Sequence, residues 1–373
     1  MSLLSSSSKY QTFKKEIDCV TIKAGKEVRS MKEIILGSTG IQVVQNAFGA
    51  LPVQRVSKEE GVKILRKAYD GGMRFFDTAR AYSDSEEKVG EALHIYPRES
   101  YYIATKTMAT TPEEFWKQLD QSLTLLQTDY IDIYQFHCAS QVYAPDDGTG
   151  MYECMLEAKK QGKIRHIGIT AHQLQVALDA VDSKLYETLQ FPFSYLSSKK
   201  ELELVEKCQA ANIGFIAMKG LAGGLINQSR LAMAYMSQFD HVLPIWGIQK
   251  ESELDEWLSY MQNTPVLDDE MKAFIEKEKT ELSGDFCRGC GYCMPCPAGI
   301  MINQCARMSL MLRRAPSKSW LTPEMQAEMK KIENCLHCGL CSSKCPYELD
   351  TPTLLQKNYE DYQKVLSGEV KVQ

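Results

Sequence analysis

The sequence predicts an α/β fold, a (β/α)8 TIM barrel, because eight strand-like segments alternate with eight helix-like segments between residues 45 and 262. Strands separated by helical crossovers pair in parallel, and eight such units close into a barrel that typically takes about 250 residues. A doubly wound sheet is the alternative, but no glycine-rich G-x-G-x-x-G opens the first helix. Two dense cysteine runs after residue 286 predict a second, smaller domain.

Local signals mark the ends of the barrel elements. After the first strand, "QNAFGAL", Ser57 is expected to cap the helix "SKEEGVKILRKAYDGG", with Glu60 completing a capping box. The third helix has Thr111 as its cap and Pro112 in its first position. The other strands are predicted in "MRFFDTA", "YYIATKT", "YIDIYQFH", "IRHIGIT", "YETLQF", "IGFIAMK" and "HVLPIWGI", with helices near "SEEKVGEALHI" and near residues 149–161, 173–182, 199–211, 228–239 and 252–262.

Four proton-carrying side chains lie at the carboxyl ends of successive predicted strands, where barrel enzymes place their chemistry. Asp77 ends the second strand, with Tyr82 five residues later, while Lys106 ends the third strand and His137 the fourth. A phenol with a pKa of about 10 is a poor acid at neutral pH, but a neighbouring ammonium lowers that pKa. We therefore expect Lys106 to lower the pKa of Tyr82, Asp77 to hold Lys106 ionised, and His137 to orient a substrate oxygen. Any one of these residues is more simply an ordinary rim residue, but the four together predict proton delivery to a carbonyl oxygen while a hydride reaches its carbon.

The cysteine runs form the most specific local pattern. "CLHCGLCSSKCP" has the C-x2-C-x2-C-x3-C-P spacing of bacterial ferredoxins, and "CRGCGYCMPCP" has one residue fewer before its last cysteine. In two-cluster proteins the first three cysteines of a run bind one cluster and the fourth binds its neighbour. We assign the first 4Fe-4S cluster to Cys287, Cys290, Cys293 and Cys345, and the second to Cys335, Cys338, Cys341 and Cys296. Zinc is the alternative, but zinc sites usually draw on two cysteine pairs separated by a longer loop, so we predict a small α-rich, bacterial-ferredoxin-like two-cluster domain.

These motifs together resemble a known family. "FDTARAYSDSEEKVGEAL", "IATK", "QFH", "IRHIGIT", "FIAMKGLAGG" and the first cysteine run are similar to the aldo/keto reductase family, in its ferredoxin-tailed branch, over roughly residues 32–350. The resemblance implies a (β/α)8 barrel without a Rossmann domain and a catalytic tetrad of Asp77, Tyr82, Lys106 and His137. It also implies hydride transfer from NADP or NAD bound across the barrel mouth.

The resemblance further implies a set of nicotinamide contacts, several of which depart from the family pattern. The implied cofactor-binding residues are Thr170, Gln190, Phe193, Lys219, Gly220, Gly223, Gly247, Gln249 and Glu253. Thr170 and Gln190 would hold the carboxamide, and Phe193 would stack on the ring. The loop 219–224 would wrap the pyrophosphate, and the stretch after the eighth strand would face the adenosine. Ala171 stands where the family has an asparagine, and Lys250 is the one evident basic residue for a 2′-phosphate.

Composition argues against nucleic acid or membrane as the main partner. The net charge is -5, and no apolar run approaches the roughly 18 residues of a spanning helix. Thirteen cysteines without an export signal indicate a reducing compartment, so we expect a cytoplasmic protein. The expected domains are a flexible extension at 1–30, the barrel at 31–280, the two-cluster domain at 281–352 and a C-terminal tail at 353–373.

Two hypotheses for the function remain, because a hydride carries two electrons whereas each cluster accepts one. In the first, the chain is an oxidoreductase that reduces a small carbonyl compound with NAD(P)H. In the second, it is an iron-sulfur electron-transfer protein, or a cluster-fed reductase, whose barrel does not use nicotinamide. Both allow a redox partner protein such as ferredoxin or flavodoxin. His172 and Tyr292 lie near the predicted sites without an assigned role.

Overall fold

The computed structural model describes residues 30–282, 286–289, 291–314, 317–345 and 347–372, together with two short strands before residue 30. These strands, β1 (Thr21–Lys23) and β2 (Lys26–Val28), pair antiparallel inside the segment expected to be a flexible extension. The rest of that extension and the predicted ligand Cys290 lie outside the described residues. In the part of the chain that is described, no helix has both the length and the apolar character needed to cross a membrane.

Eight parallel strands close into the predicted barrel, in sequence order around the ring. The barrel strands are β5 (Ala47–Gly49), β6 (Phe75–Asp77), β7 (Tyr102–Thr107), β8 (Ile131–Phe136), β9 (Ile164–Thr170), β10 (Thr188–Pro192), β11 (Gly214–Met218) and β12 (Val242–Gly247). Strand β12 pairs with β5, which closes the ring and confirms the barrel over a doubly wound sheet.

Each barrel strand is followed by one helix, at the predicted places. The helices are α1 (Lys58–Asp70), α2 (Ser85–Leu93), α3 (Pro112–Leu126), α4 (Met151–Lys160), α5 (Leu174–Ser183), α6 (Lys199–Ala210), α7 (Ser229–Met236) and α8 (Glu251–Gln262). Ser57 and Thr111 cap α1 and α3, since each side-chain oxygen accepts a backbone N–H in the first turn. The polar caps therefore fix where these helices begin.

A hairpin closes the amino end of the barrel. It consists of β3 (Glu33–Ile35) and β4 (Gln42–Val44), which pair antiparallel. Its apolar side chains pack with those that point inward from the barrel strands; the cluster includes Ile34, Leu36, Ile41, Val43, Phe75, Ala104, Ile133, Ile216 and Leu243. Because this end is filled by apolar groups, polar chemistry is confined to the carboxyl ends of the strands.

The cysteine domain is α-rich, as predicted, and has its own core. After α9 (Asp269–Glu281) it contains α10 (Ile302–Cys305), α11 (Met308–Arg314), α12 (Pro323–Lys330), α13 (Leu340–Ser343) and α14 (Thr351–Leu366). The expected C-terminal tail is instead mostly α14, whose Leu355, Tyr359, Tyr362 and Val365 are buried in this core. The 3.6-residue spacing of those side chains and the Asp350 cap were available signals for a helix.

Candidate active site and cysteine sites

Asp77 and Lys106 form a buried ion pair on neighbouring strands β6 and β7. Lys106 Nζ lies 2.7 Å from both carboxylate oxygens of Asp77 and 2.7 Å from the carbonyl oxygen of Thr78. Burial raises the pKa of Asp77, while the Lys106 ammonium acts in the opposite direction. Contact of both oxygens with one ammonium fits the carboxylate form, so the expectation that Asp77 fixes a charged Lys106 agrees with this geometry.

Tyr82 and His137 complete the group at the barrel mouth. The centre of the Tyr82 ring lies 5.4 Å from Lys106 Nζ and 5.5 Å from the centre of the His137 ring, which is nearly perpendicular to it. The four side chains predicted from successive strand ends are therefore brought together in the structure.

The expected pKa of Tyr82 needs a correction. Burial raises the pKa of Tyr82 well above its ordinary value, and the charge of Asp77 raises it further. Lys106 does not lower it as expected, because the three hydrogen bonds of its ammonium go to Asp77 and Thr78 and the carboxylate compensates its charge. Tyr82 is therefore a neutral phenol across the physiological pH range, which is the form that a proton donor requires.

His137 is also neutral at the mouth. Burial, together with the nearby charge of Lys106, lowers its pKa to about 3. Its Nδ1 is buried and has no hydrogen-bond partner in the part of the chain that the structure describes. A buried polar atom of this kind is normally satisfied, so His137 has capacity to bind a polar atom of a ligand.

A polar layer inside the barrel surrounds Asp77. Gln135 donates from Nε2 to Gln190 Oε1 at 3.1 Å, and both amides hydrogen-bond the Asp77 carboxylate. Thr170 is buried, and its Oγ1 accepts the backbone N–H of Cys138 at 2.7 Å. Sequence reasoning missed Gln135, although it lies two residues before His137 and strand alternation places the two on one face.

The predicted stacking role of Phe193 does not fit the structure. Phe193 is 1% exposed, and its ring centre lies 5.3 Å from that of Phe239, 5.8 Å from that of Phe215 and 5.9 Å from that of Tyr235. It packs in the layer between the barrel and its helices, which corrects its assignment as an aromatic platform at the mouth.

The loop 219–224, predicted to wrap a pyrophosphate, is in contact with the cysteine domain. Arg307 donates to the carbonyl oxygen of Gly223 at 2.9 Å, and Arg314 donates to that of Leu225 at 3.0 Å. Leu225 is fully buried in the core of the cysteine domain. Packing alone explains a glycine at position 220, because a Cβ there would lie 2.5 Å from the Trp246 ring. Lys219, the first residue of this loop, is half-buried.

The predicted adenosine end is occupied in part by a helix cap. Glu253 accepts the backbone N–H groups of Gln249 at 2.9 Å and Lys250 at 3.2 Å, so its carboxylate caps α8. Gly247 is exposed at the end of β12, where a Cβ would lie 3.1 Å from Pro52. A carboxylate at this helix end opposes the binding of a further anionic group there.

One side chain of the cysteine domain reaches the barrel mouth. The hydroxyl of Tyr292, in the first cysteine run, lies 3.1 Å from Nδ1 of His172, which follows β9. Burial lowers the pKa of His172 to about 3, and the charge of Lys219 adds to this effect. Sequence reasoning gave no role to this pair because the contact depends on how the two domains pack.

The predicted cluster ligands line two adjacent cavities of the cysteine domain. Cys287, Cys293 and Cys345 line one small cavity. Cys296, Cys335, Cys338 and Cys341 line another, which Cys293 also borders. This grouping fits the interlocked assignment, with Cys345 joining the first run and Cys296 the second. Among the described residues, no three His, Cys, Asp or Glu side chains group as ligands of a single metal ion.

Comparison with known proteins identifies both parts of the chain. Residues 33–243 match the family model "Aldo/keto reductase family", which is more than half of the 373 residues. The chain belongs to the aldo/keto reductase family. Residues 286–350 match the model "4Fe-4S dicluster domain". The resemblance inferred from the motifs is thereby confirmed: this member of the aldo/keto reductase family carries a C-terminal 4Fe-4S dicluster domain.

Individual relatives are distant from this aldo/keto reductase. L-galactose dehydrogenase of Arabidopsis thaliana is 30% identical over 213 residues, 52% of this chain and 66% of that protein. Methylglyoxal reductase DkgA of Escherichia coli O157:H7 is 38% identical over 134 residues, 35% of this chain and 48% of that protein. The chain thus spans less than two thirds of the length of these relatives.

Solved structures share the barrel. The holo form of aldo-keto reductase AKR11C1 from Bacillus halodurans has a TM-score of 0.58 at 22% identity, covering 66% of this chain and 96% of that chain. Bombyx mori AKR2E4, in complex with NADP, has a TM-score of 0.54 at 19% identity, covering 66% of this chain and 92% of that chain. At these identities the likeness shows the fold alone.

Proposed function

We propose that this aldo/keto reductase reduces the carbonyl group of a small molecule at the barrel mouth, with Tyr82 as the proton donor. The observation that carries the proposal is the convergence of Tyr82, His137 and the buried Lys106–Asp77 pair at the ends of β6, β7 and β8. No single one of these side chains is diagnostic, but together they supply a proton, an orienting group and a fixed charge beside one another.

The four residues have separate roles in this proposal. His137 binds and orients the carbonyl oxygen, since its neutral ring has hydrogen-bonding capacity to spare. As negative charge develops on that oxygen, Tyr82 donates its O–H proton, and its raised pKa keeps that proton in place until then. Lys106, held by Asp77, stabilises the negative charge left on Tyr82 in the transition state.

The hydride would come from a nicotinamide cofactor when one is bound at the mouth. Thr170 and Gln190 lie in or beside the polar layer around Asp77, where they would hold the carboxamide of the nicotinamide. Lys219 would face the phosphates of the cofactor. The fit is incomplete, because the Phe193 side chain is buried among other aromatic rings. Glu253, which caps α8, disfavours a 2′-phosphate, so we propose NADH rather than NADPH.

The test is Tyr82→Phe in the full chain, reconstituted with iron and sulfide under anaerobic conditions. With NADH and a panel of aldehydes, ketoaldehydes and ketones, kcat should fall by about 10²- to 10⁴-fold, the usual contribution of a general acid. Tyr96→Phe is a matched control, because it removes a phenol that is bonded to Asp70 and away from the mouth. Unchanged turnover of Tyr82→Phe would remove Tyr82 from its proposed role.

A second candidate function deserves a test because the nucleotide side of the mouth is partly occupied. The cysteine domain contacts the loop 219–224, Phe193 is buried, and Glu253 caps a helix. These contacts favour a cluster-fed reductase, or an electron-transfer protein, whose barrel does not use nicotinamide. Titration with NADH and NADPH, followed by nicotinamide fluorescence and cluster absorbance, distinguishes the two: binding of neither nucleotide favours the second candidate.

We propose that the cysteine domain holds two 4Fe-4S clusters, as grouped above, and that the protein works in the reducing cytoplasm. The second cysteine site faces the surface, since Cys338 is exposed between Leu336 and Leu340, which are 67% and 46% exposed. A redox partner such as ferredoxin or flavodoxin would therefore meet the second site, while the contact of Tyr292 with His172 supports a first site beside the barrel mouth.

A further inference from the structure

Arg307, between α10 and α11, lies against two glycines from different domains. Its Nη1 donates to the carbonyl oxygen of Gly223 at 2.9 Å. A Cβ added at Gly223 or at Gly289 would lie 2.8 Å from this same nitrogen. Both glycines have positive φ angles, +69° and +66°. The guanidinium thus lies between the loop 219–224 of the barrel and the first cysteine run. A side chain at either glycine would take the space that the guanidinium fills.

This guanidinium also faces the first cysteine site. Gly289, against which it packs, donates its backbone N–H to Cys287 Sγ at 3.3 Å. The charge of Arg307 lies within electrostatic reach of Cys287. Its Nε is buried and has no hydrogen-bond partner in the part of the chain that the structure describes.

The neighbouring arginines are paired in a different way. Arg313 and Arg314 form ion pairs with Asp361 and Glu278, whereas Arg307 forms none with the described carboxylates. A partly buried guanidinium without a counter-charge reduces the stability of the folded protein unless an anion lies nearby. The thiolates of the first cysteine site and the iron-sulfur group they would bind are the anions in reach.

We propose that Arg307 is a cation shared by the first cysteine site and the loop 219–224. It stabilises the more negative redox state of the iron-sulfur group that the first cysteine site would bind. It also couples that state to the binding of an anionic ligand at the loop, a part of the proposal that rests on the proposed function. An anion at the loop competes for the same positive charge, so its binding lowers the midpoint potential of the first site. By linkage, reduction of that site weakens the anion's binding by the same factor.

The test is an EPR-monitored redox titration of the reconstituted full chain, with and without ADP-ribose, a redox-inert carrier of the pyrophosphate. In Arg307→Gln, one of the two midpoint potentials should become more negative by at least 59 mV. That shift is a tenfold change in the ratio of reduced to oxidised sites for a one-electron couple. The other midpoint serves as an internal reference. Arg307→Lys, which keeps the positive charge, should leave this midpoint potential close to the wild-type value. The control Arg313→Gln should change neither midpoint potential.

ADP-ribose should lower the same midpoint in the wild type and leave it unchanged in Arg307→Gln. If Arg307→Gln does not retain iron, Gly289→Ala, whose Cβ would displace the guanidinium away from the first cysteine run, should lower that midpoint. Neither midpoint moving, or both moving equally, would overturn the charge assignment. ADP-ribose that binds without a shift would overturn the coupling. A complete lack of ADP-ribose binding, measured by calorimetry, would count against nicotinamide use while the midpoint of Arg307→Gln still decides the charge assignment.

Discussion

The two sides of the barrel mouth differ in what holds their residues. On the side of β6, β7 and β8, the predicted tetrad comes together, and each member lies on a strand or within a few residues of its end. On the side of β10, β11 and β12, Phe193 is buried, the loop 219–224 contacts the cysteine domain, and Glu253 caps a helix. The positions of side chains at strand ends can therefore be predicted from the local sequence, whereas the positions of side chains on loops depend on the elements that pack against those loops.

The largest expected effect concerns the domain that contacts the loop side. Cys296→Ser should remove the second iron-sulfur site, and Cys345→Ser the first, because each run supplies a ligand to the other's site. Iron content should fall by about half in each variant, and the remaining EPR signal should differ between them. If Cys296→Ser instead damaged the site of its own run, the interlocked assignment would be wrong.

The strand-held side should be sensitive to loss of one charge. Lys106→Met leaves Asp77 buried without its partner, which should reduce the free energy of unfolding by about 3–5 kcal/mol and abolish turnover. Anaerobic urea unfolding measures the loss. Lys163→Met, which breaks the surface pair with Asp120, should cost less than about 1 kcal/mol. A double variant, Asp77→Asn with Lys106→Met, should recover stability but not activity. An equal cost for Lys106→Met and Lys163→Met would contradict the role of the buried pair.

The contact between the two domains should have an intermediate effect. The hydroxyl of Tyr195, which is buried after β10, donates to Glu278 of α9, and Glu278 accepts Arg314 of the cysteine domain at 2.6 Å. Tyr195→Phe removes a hydrogen bond to a charged group, which should cost about 1.5–3 kcal/mol in unfolding free energy. Tyr96→Phe, at the surface, should stay within about 0.5 kcal/mol of the wild type. A loss no larger than that control would mean that Glu278 does not depend on Tyr195.

The last expected effect is a gradual pH dependence of stability. His137 and His172 have pKa values of about 3 when folded, below the value of about 6.5 in an unfolded chain. The unfolded state therefore binds more protons between these values, and the free energy of unfolding falls as pH falls below about 6.5. The slope approaches about 1.4 kcal/mol per pH unit for each histidine.

Urea unfolding between pH 7 and pH 5 measures this slope. His172→Gln should make the slope shallower by close to one histidine's share. His94→Gln, at the exposed end of α2, is the control. A slope unchanged by His172→Gln would show that His172 is not buried in the neutral form.

Sequence alone predicted the barrel and its eight helices; the catalytic role of the tetrad and the ligand sets of the two clusters stay predictions. Alternation along strands, helix caps and ligand spacing can be predicted because each depends on residues that are close together in the sequence. The pKa of Tyr82 could not be predicted in this way, because it depends on burial and on where the three protons of Lys106 point. The contacts of Arg307 and Tyr292 could not be predicted from the sequence either, since their partners in the barrel are 84 and 120 residues away along the chain.

The most direct test of the account follows a deuterium atom. With NADH that carries deuterium at both positions of carbon 4 and an aldehyde or ketone that the wild type reduces, each product molecule should carry one deuterium at the former carbonyl carbon. The proton on its oxygen should come from Tyr82 and ultimately from water. Product that carries only solvent hydrogen at that carbon, formed while NADH is not consumed, would contradict hydride transfer at the barrel mouth.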